Sequence, residues 1–259
     1  MVGPFIYADL IGPDVLPPGV GVDVPVHPHI GLATITYLFE GSLVHRDSTG
    51  AVQRIEPGAV NWMVAGSGVS HSERTPDDER AADGRIAGLQ TWVALPADAE
   101  TTAPSFTHVA AADVPAWTDG PADVRLVAGT LGGRSSPVPT ASPIAYADVR
   151  FAAAGSWRFD AGVGERAVLP VDAAVEVDGV EVAARHLAVL ADGAPGVVTA
   201  PAGARVMAIG GAPVGERLIR WNFVASRREL VDRAAAAWRD GDWPLVDGDD
   251  ELVPLPAGI

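Results

Sequence analysis

The chain contains no cysteine and no lysine. Without cysteine there are no disulfides, no thiolate metal ligands and no cysteine nucleophile, so any metal must bind through nitrogen and oxygen. Without lysine, Schiff-base chemistry and P-loop phosphate binding lose their usual residue, and arginine supplies all 18 basic side chains. Basic charge is scarce as well. Against 33 acidic residues the formal net charge is -15, a balance that repels nucleic acid and anionic membranes over most of the surface. Direct nucleic-acid binding is therefore not expected. No apolar run approaches the ~20 residues that a membrane span needs. No basic stretch leading into an apolar one follows Met1, so no signal peptide is expected. The expectation is a soluble, cytoplasmic protein with no membrane contact.

What is present favours β-structure. The 259 residues suffice for one large domain or two of ordinary size, and a hydrophobic content of 48% supplies a core. The 29 glycines and 22 prolines divide the chain into short elements joined by turns. Segments 34–40, 42–47, 51–55, 60–64 and 89–95 carry strand patterns broken by Gly41, Ser48-Thr-Gly50 and Glu56-Pro-Gly58. A looser stretch covers about 96–123. Strand patterns return at 124–128, 144–151, 156–159, 165–169, 174–177, 186–190 and 205–209, with Asp178-Gly179 as a hairpin turn. The second half repeats the rhythm of the first and reads as a duplicated barrel. One helix is expected near the end, with Ser226 as N-cap, Glu229 completing a capping box, and Asp240-Gly241 as its stop. The expected domains are 1–115, 116–225, and a helix with tail at 226–259. Tandem barrels supply their own sheet-on-sheet interface, so a monomer is expected.

The chemistry lies in two short clusters, His27-Pro-His29 and His71-Ser-Glu73. Both have the spacing i, i+2, which in a strand puts the two side chains on one face. Two such strands can aim three imidazoles and one carboxylate at a single point. That donor set suits Fe, Mn, Ni, Cu, Co or Zn and leaves positions open for a ligand. The second half has one histidine, His186, and neither pairing.

Gly21, His27-Pro-His29-Ile-Gly31, the run 34–41, His45-Arg-Asp-Ser48, the run 57–63 and Gly68-Val-Ser-His-Ser-Glu73 resemble, in order and spacing, the pirin family of the cupin superfamily. Gly210-Gly-Ala-Pro213 and the segment 221–226 before the helix are similar to its bacterial branch. The resemblance covers nearly the whole chain. It implies an all-β fold of two tandem cupin barrels with a short C-terminal helix. It also implies one divalent transition metal, iron above all, on His27, His29, His71 and Glu73. Some bacterial members are quercetin 2,3-dioxygenases, which implies a flavonol substrate and O2, with Glu73 both ligand and base for the flavonol 3-hydroxyl. Other members are non-enzymatic regulators, which implies instead a protein partner read through the metal's redox state. Cupins also host isomerases, a reading carried by fold analogy alone. The chain departs from the family pattern at Ile30 and Ala33, where an arginine and an acidic residue are common, so Glu73 is the only carboxylate in either cluster.

Other residues have plainer expectations. His45 is a hydrogen-bonded barrel histidine beside the pocket or a group that orients the site. His108 is a surface residue of the linker, and His186 a strand residue of the second barrel. Trp62 and Met63 fill the core. Arg227 and Arg228 are solvated. The acidic run 247–251 is a solvated loop, lacking the spacing of a calcium loop.

Overall fold

The computed structural model describes residues 1–160, 162 and 164–259. Strands form where β-branched and apolar residues run between turns. Nine precede residue 110: β1 (Phe5–Leu16), β2 (Asp23–His29), β3 (Leu32–Glu40), β4 (Leu43–Asp47), β5 (Val52–Ile55), β6 (Val60–Val64), β7 (Val69–Arg74), β8 (Gly84–Ala94) and β9 (Ser105–Val109), with a one-turn helix α1 (Asp77–Arg80) between β7 and β8. Then come β10 (Ala116–Asp119), β11 (Ala122–Leu131), β12 (Arg134–Ser135), β13 (Ile144–Phe151), β14 (Gly155–Phe159), β15 (Glu165–Pro170), β16 (Val175–Val177), β17 (Val180–Val182), β18 (Ala188–Val189), β19 (Gly196–Ala200) and β20 (Arg205–Gly211). The chain closes with β21 (Leu218–Arg220), β22 (Phe223–Ala225) and helix α2 (Arg228–Asp240). The expected all-β fold with a C-terminal helix is what forms.

The chain makes two compact units, and neither is contiguous. One comprises 1–6 and 112–213, the other 7–111 and 214–259. The first six residues fall in the unit of the later strands, and the C-terminal helix falls in the unit of the earlier ones.

In the unit built on 7–111 one sheet runs β1-β8-β3-β6-β9 and the other β2-β7-β4-β5. The sheets face each other, since Thr36 on β3 donates its hydroxyl to Glu73 on β7 at 3.0 Å. The strand β2 lies at an edge of its sheet, which is where Pro25 and Pro28 can be accommodated. A bulge between Val24 and His27 interrupts its pairing with β7. At this bulge Val26 turns to the chain's C-terminal tail: its N–H donates to the Glu251 carbonyl, and the Val253 N–H returns a bond to its own carbonyl, both at 2.8 Å. Gly31 then carries the chain to β3 with φ +67°, where a Cβ would collide with the Val224 carbonyl oxygen of β22. Ile30, 5% exposed, packs with Val26, Phe223 and the α2 residues Leu230, Val231, Ala234 and Trp238.

The other unit pairs the sheet β10-β11-β13-β20-β15-β18 with the sheet β14-β19-β16-β17. Its core between them is apolar, with Val124, Ala147, Val149 and Val206 from one side and Trp157, Phe159, Val177 and Val198 from the other. The turn Asp178-Gly179 has positive φ at both residues (48° and 82°), as the β16–β17 hairpin requires.

Some expectations change. Helix α2 begins at Arg228 with Arg227 at the N-cap and no side-chain cap. Ser226 cannot cap because Glu100, buried at 2% exposure, accepts both its N–H (2.7 Å) and its hydroxyl (2.6 Å). The stop is as expected: Gly241 is left-handed, φ 75°. His186 is exposed and precedes β18 rather than lying in a strand. His108 is half-buried on β9, its Nδ1 2.7 Å from Asn61 Oδ1. Within the acidic run, Asp249 is not free: Arg74 forms a two-pronged ion pair with it at 2.7 and 2.8 Å and pulls its pKa down to about 2. The sequence patterns do not mark strands β1, β12, β19, β21 and β22, or β9 and β10 in the looser stretch. Trp62 and Met63 are core residues at 1% exposure. No helix among the described residues is long and apolar enough to cross a membrane.

Losing the Glu100 carboxylate would strand the N–H and hydroxyl of Ser226. Glu100→Ala is expected to cost about 1–3 kcal/mol. Glu229→Ala, which would break a capping box if there were one, should stay within about 0.5 kcal/mol. Urea unfolding of the two variants separates these outcomes.

Candidate metal centre

Register assembles the site. On the β2–β7 ladder His27 stands opposite His71. On the β4–β7 ladder Asp47 stands opposite His71, and His45 opposite Glu73. Directly paired residues share a face, so His27, His29, His45, Asp47, His71 and Glu73 all point into the space between the sheets. None is more than 8% exposed. The facing sheet contributes Thr36, Gln90 and Trp92 through the β3–β8 pairs Thr36↔Gln90 and Thr34↔Trp92.

The four residues singled out from sequence are brought to one chamber as two overlapping groups. Ligand atoms of His27, His29 and His71 lie within 4.8 Å of one another, and so do those of His45, His71 and Glu73. His71 belongs to both. Glu73 is tethered from across the chamber, where Gln90 Nε2 donates to its two oxygens at 2.7 and 2.9 Å and Thr36 adds a third bond.

Hydrogen bonds decide which nitrogen of each ring is free. A carbonyl can only accept, so the Pro25 carbonyl (2.8 Å) holds the hydrogen on Nδ1 of His27 and the Asn222 carbonyl (3.2 Å) holds it on Nδ1 of His29. Nε2 of each is left as a lone-pair donor. The Nε2 atoms of His29 and His71 are 3.1 Å apart. That is the spacing of neighbouring donors on one ion, about 3.0–3.4 Å for metal–nitrogen bonds of about 2.1 Å. Burial holds the imidazoles neutral, as ligation requires. It lowers the pKa of His27, opposed by the Pro25 carbonyl and Glu73. It lowers those of His29 and His71 well below the usual value, reinforced by the neighbouring histidines. A buried, uncharged, oriented nitrogen set beside a carboxylate fits a transition-metal ion.

Aromatic rings border the chamber. Trp92, half-buried, meets His29 edge-on at 5.1 Å, and Tyr7, 45% exposed, lies against Trp92 at 4.6 Å. Phe106 stacks on His45 at 4.5 Å. Neither departure from the family pattern enters the site. Ile30 packs under α2, and Ala33 lies one residue from Thr34 on β3, hence on the face away from the chamber. Sequence reasoning did not assign Thr36, Gln90, Asn222 or Asp47 to the site. For Asp47 a signal existed, since His45-Arg-Asp47 has the same i, i+2 spacing as the two clusters. The others carry no local mark.

A paired-sheet barrel with a buried histidine–carboxylate cluster, followed by a second barrel that has none among the described residues, defines a two-barrel protein of the cupin type. The chain belongs to the pirin family: its residues 1–93 match the pirin family model and residues 146–244 the pirin C-terminal cupin domain. A pirin-like protein of Caulobacter vibrioides is 44% identical over 260 residues, covering 99% of this chain and 90% of that one. Among solved structures, a quercetin 2,3-dioxygenase from Acinetobacter baumannii superposes with a TM-score of 0.89 at 31% identity, over 100% of this chain and 88% of its own. A nickel-bound bacterial pirin from Escherichia coli shares the fold, with a TM-score of 0.63 at 18% identity over 82% of this chain and 84% of its own.

The depressed histidine pKa values have a consequence for the metal-free protein. The unfolded chain binds these protons below about pH 6.5 and the folded chain does not, so stability is full above that pH and falls as pH drops below it. The melting temperature of metal-free protein should decline from pH 7 to pH 5, and His71→Gln should flatten the slope. Calorimetry across that range is the check.

Proposed function

We propose that the protein is a metal-dependent oxygenase of the quercetin 2,3-dioxygenase type, acting on flavonols with O2, and that His27, His29, His71 and Glu73 hold its metal, iron being the first choice. The carrying observation is the approach of His29 Nε2 and His71 Nε2 to 3.1 Å in a buried chamber with Glu73. Similarity over the whole chain to a protein named quercetin 2,3-dioxygenase supports the substrate class.

A bound ion would supply Lewis acidity toward the flavonol hydroxyl and the one-electron chemistry that O2 demands. The chain's own groups do the rest. Gln90 and Thr36 fix the Glu73 carboxylate from the opposite sheet. A carboxylate so held, within hydrogen-bond reach of the 3-hydroxyl, takes its proton as the substrate enters. Trp92 and Tyr7 offer ring faces and edges to a planar aromatic guest. Burial of the inward histidines and carboxylates keeps bulk water from the reacting atoms.

Anaerobic loading with Fe(II), followed by quercetin and O2, tests this. The loaded wild type should consume both, His29→Gln and His71→Gln should lose bound iron, and Glu73→Gln should slow turnover by about 100-fold or more. Iron-loaded protein that consumes neither quercetin nor O2 rejects the oxygenase reading and points to the metal-dependent regulatory one.

A further inference from the structure

His71 is the ring common to both donor groups, and its second nitrogen faces a chain of buried partners. His71 Nδ1 lies 3.5 Å from His45 Nδ1, and His45 Nε2 lies 2.9 Å from Asp47 Oδ2. Asp47 is itself pinned, its Oδ1 accepting from the Thr49 N–H (2.8 Å), the Thr49 hydroxyl (2.6 Å) and the Ala51 N–H (3.2 Å). Phe106 stacks on the His45 ring and fixes its plane. His45 and Asp47 are 3% and 2% exposed, so bulk solvent does not reach them.

The hydrogens follow from the outer end inward. The Asp47 carboxylate only accepts, so His45 Nε2 carries the hydrogen of that bond. His45 Nδ1 is then a lone pair. Facing it, His71 Nδ1 must carry a hydrogen, since two lone pairs with no ion between them would repel. His71 Nε2 is thereby left free, and it is the atom that meets His29 Nε2. His27 and His29 have backbone carbonyls for the same purpose, whereas His71 meets the side-chain pair.

We infer that Asp47 and His45 form a positioning relay that fixes His71 in the Nε2-donating tautomer and so sets the metal affinity of the site. His45 is not required as a ligand in this role, although it groups with His71 and Glu73. The inference rests on the metal reading given above. Partners of this kind contribute about 10- to 100-fold in metal affinity.

Zn(II) is the probe, measured by competition with a chromophoric chelator, with long-range proton–nitrogen NMR of the zinc-loaded wild type. Nδ1 of His71 should carry the hydrogen and Nε2 the metal, with His45 holding its hydrogen on Nε2. His45→Phe keeps the ring and its stacking on Phe106 but offers no acceptor, and should weaken Zn(II) binding about 10- to 100-fold. His45→Gln, which can accept from His71 and donate to Asp47, should recover most of that loss, an outcome that a merely space-filling role would not produce. Equal affinity of His45→Phe and wild type overturns the relay while leaving the metal centre intact. So does a His71 that binds zinc through Nδ1, a result that needs no variant to fold. A wild type that binds no Zn(II) overturns the metal reading and this inference together.

Discussion

Three imidazoles packed against one another in a chamber closed to bulk solvent are buried uncharged. A protonated ring there would meet its neighbours' hydrogens at close range and lose more hydration than the Glu73 carboxylate and the backbone carbonyls return. Burial and mutual proximity depress all three pKa values. Neutrality then makes each ring a one-hydrogen, one-lone-pair object that must be oriented. The structure provides an acceptor for each Nδ1: the Pro25 carbonyl, the Asn222 carbonyl and the His45 ring. What remains is a convergent set of lone pairs.

Those acceptors explain features that look incidental in isolation. Pro25 sits in the bulge of an edge strand, where its carbonyl is available to the ring two residues on. Asn222 lies 193 residues from the ring it orients, and it arrives because the C-terminal segment folds back onto the first barrel. The tail continues along Val26, α2 covers Ile30, and Gly31 lets β22 approach the β2–β3 corner. The helix and tail thus hold the histidine strand from behind. In a sheet a register slip of one residue would send His27 and His29 to the wrong face.

The later barrel shows that the scaffold does not impose the chemistry. Its intersheet space is filled by Val, Ala, Phe and Trp side chains. Its buried Arg166, 1% exposed, is held by the backbone carbonyls of Phe159, Ala191 and Ala194. Fold and site are separable properties, and the histidines and carboxylates of the site occupy six inward positions of three strands.

Much of this was legible in one dimension. Alternation and turn residues located most strands, the Asp178-Gly179 hairpin and the Gly241 stop, because those signals are local. The i, i+2 pairs marked the four residues that meet in the chamber, because strand pleat converts that spacing directly into a shared face. Spacing could not reveal what is set by contacts between distant segments. Ser226 reads as a cap until Glu100 takes its hydroxyl, and the acidic tail reads as solvated until Arg74 pairs with Asp249. The six N-terminal residues join a barrel that begins a hundred residues later. By itself, then, the sequence determined the donor types and the strand faces that carry them. Tertiary structure alone decided which nitrogen of each ring is free, since that depends on a carbonyl or a ring brought from elsewhere in the chain to hold the other nitrogen's hydrogen.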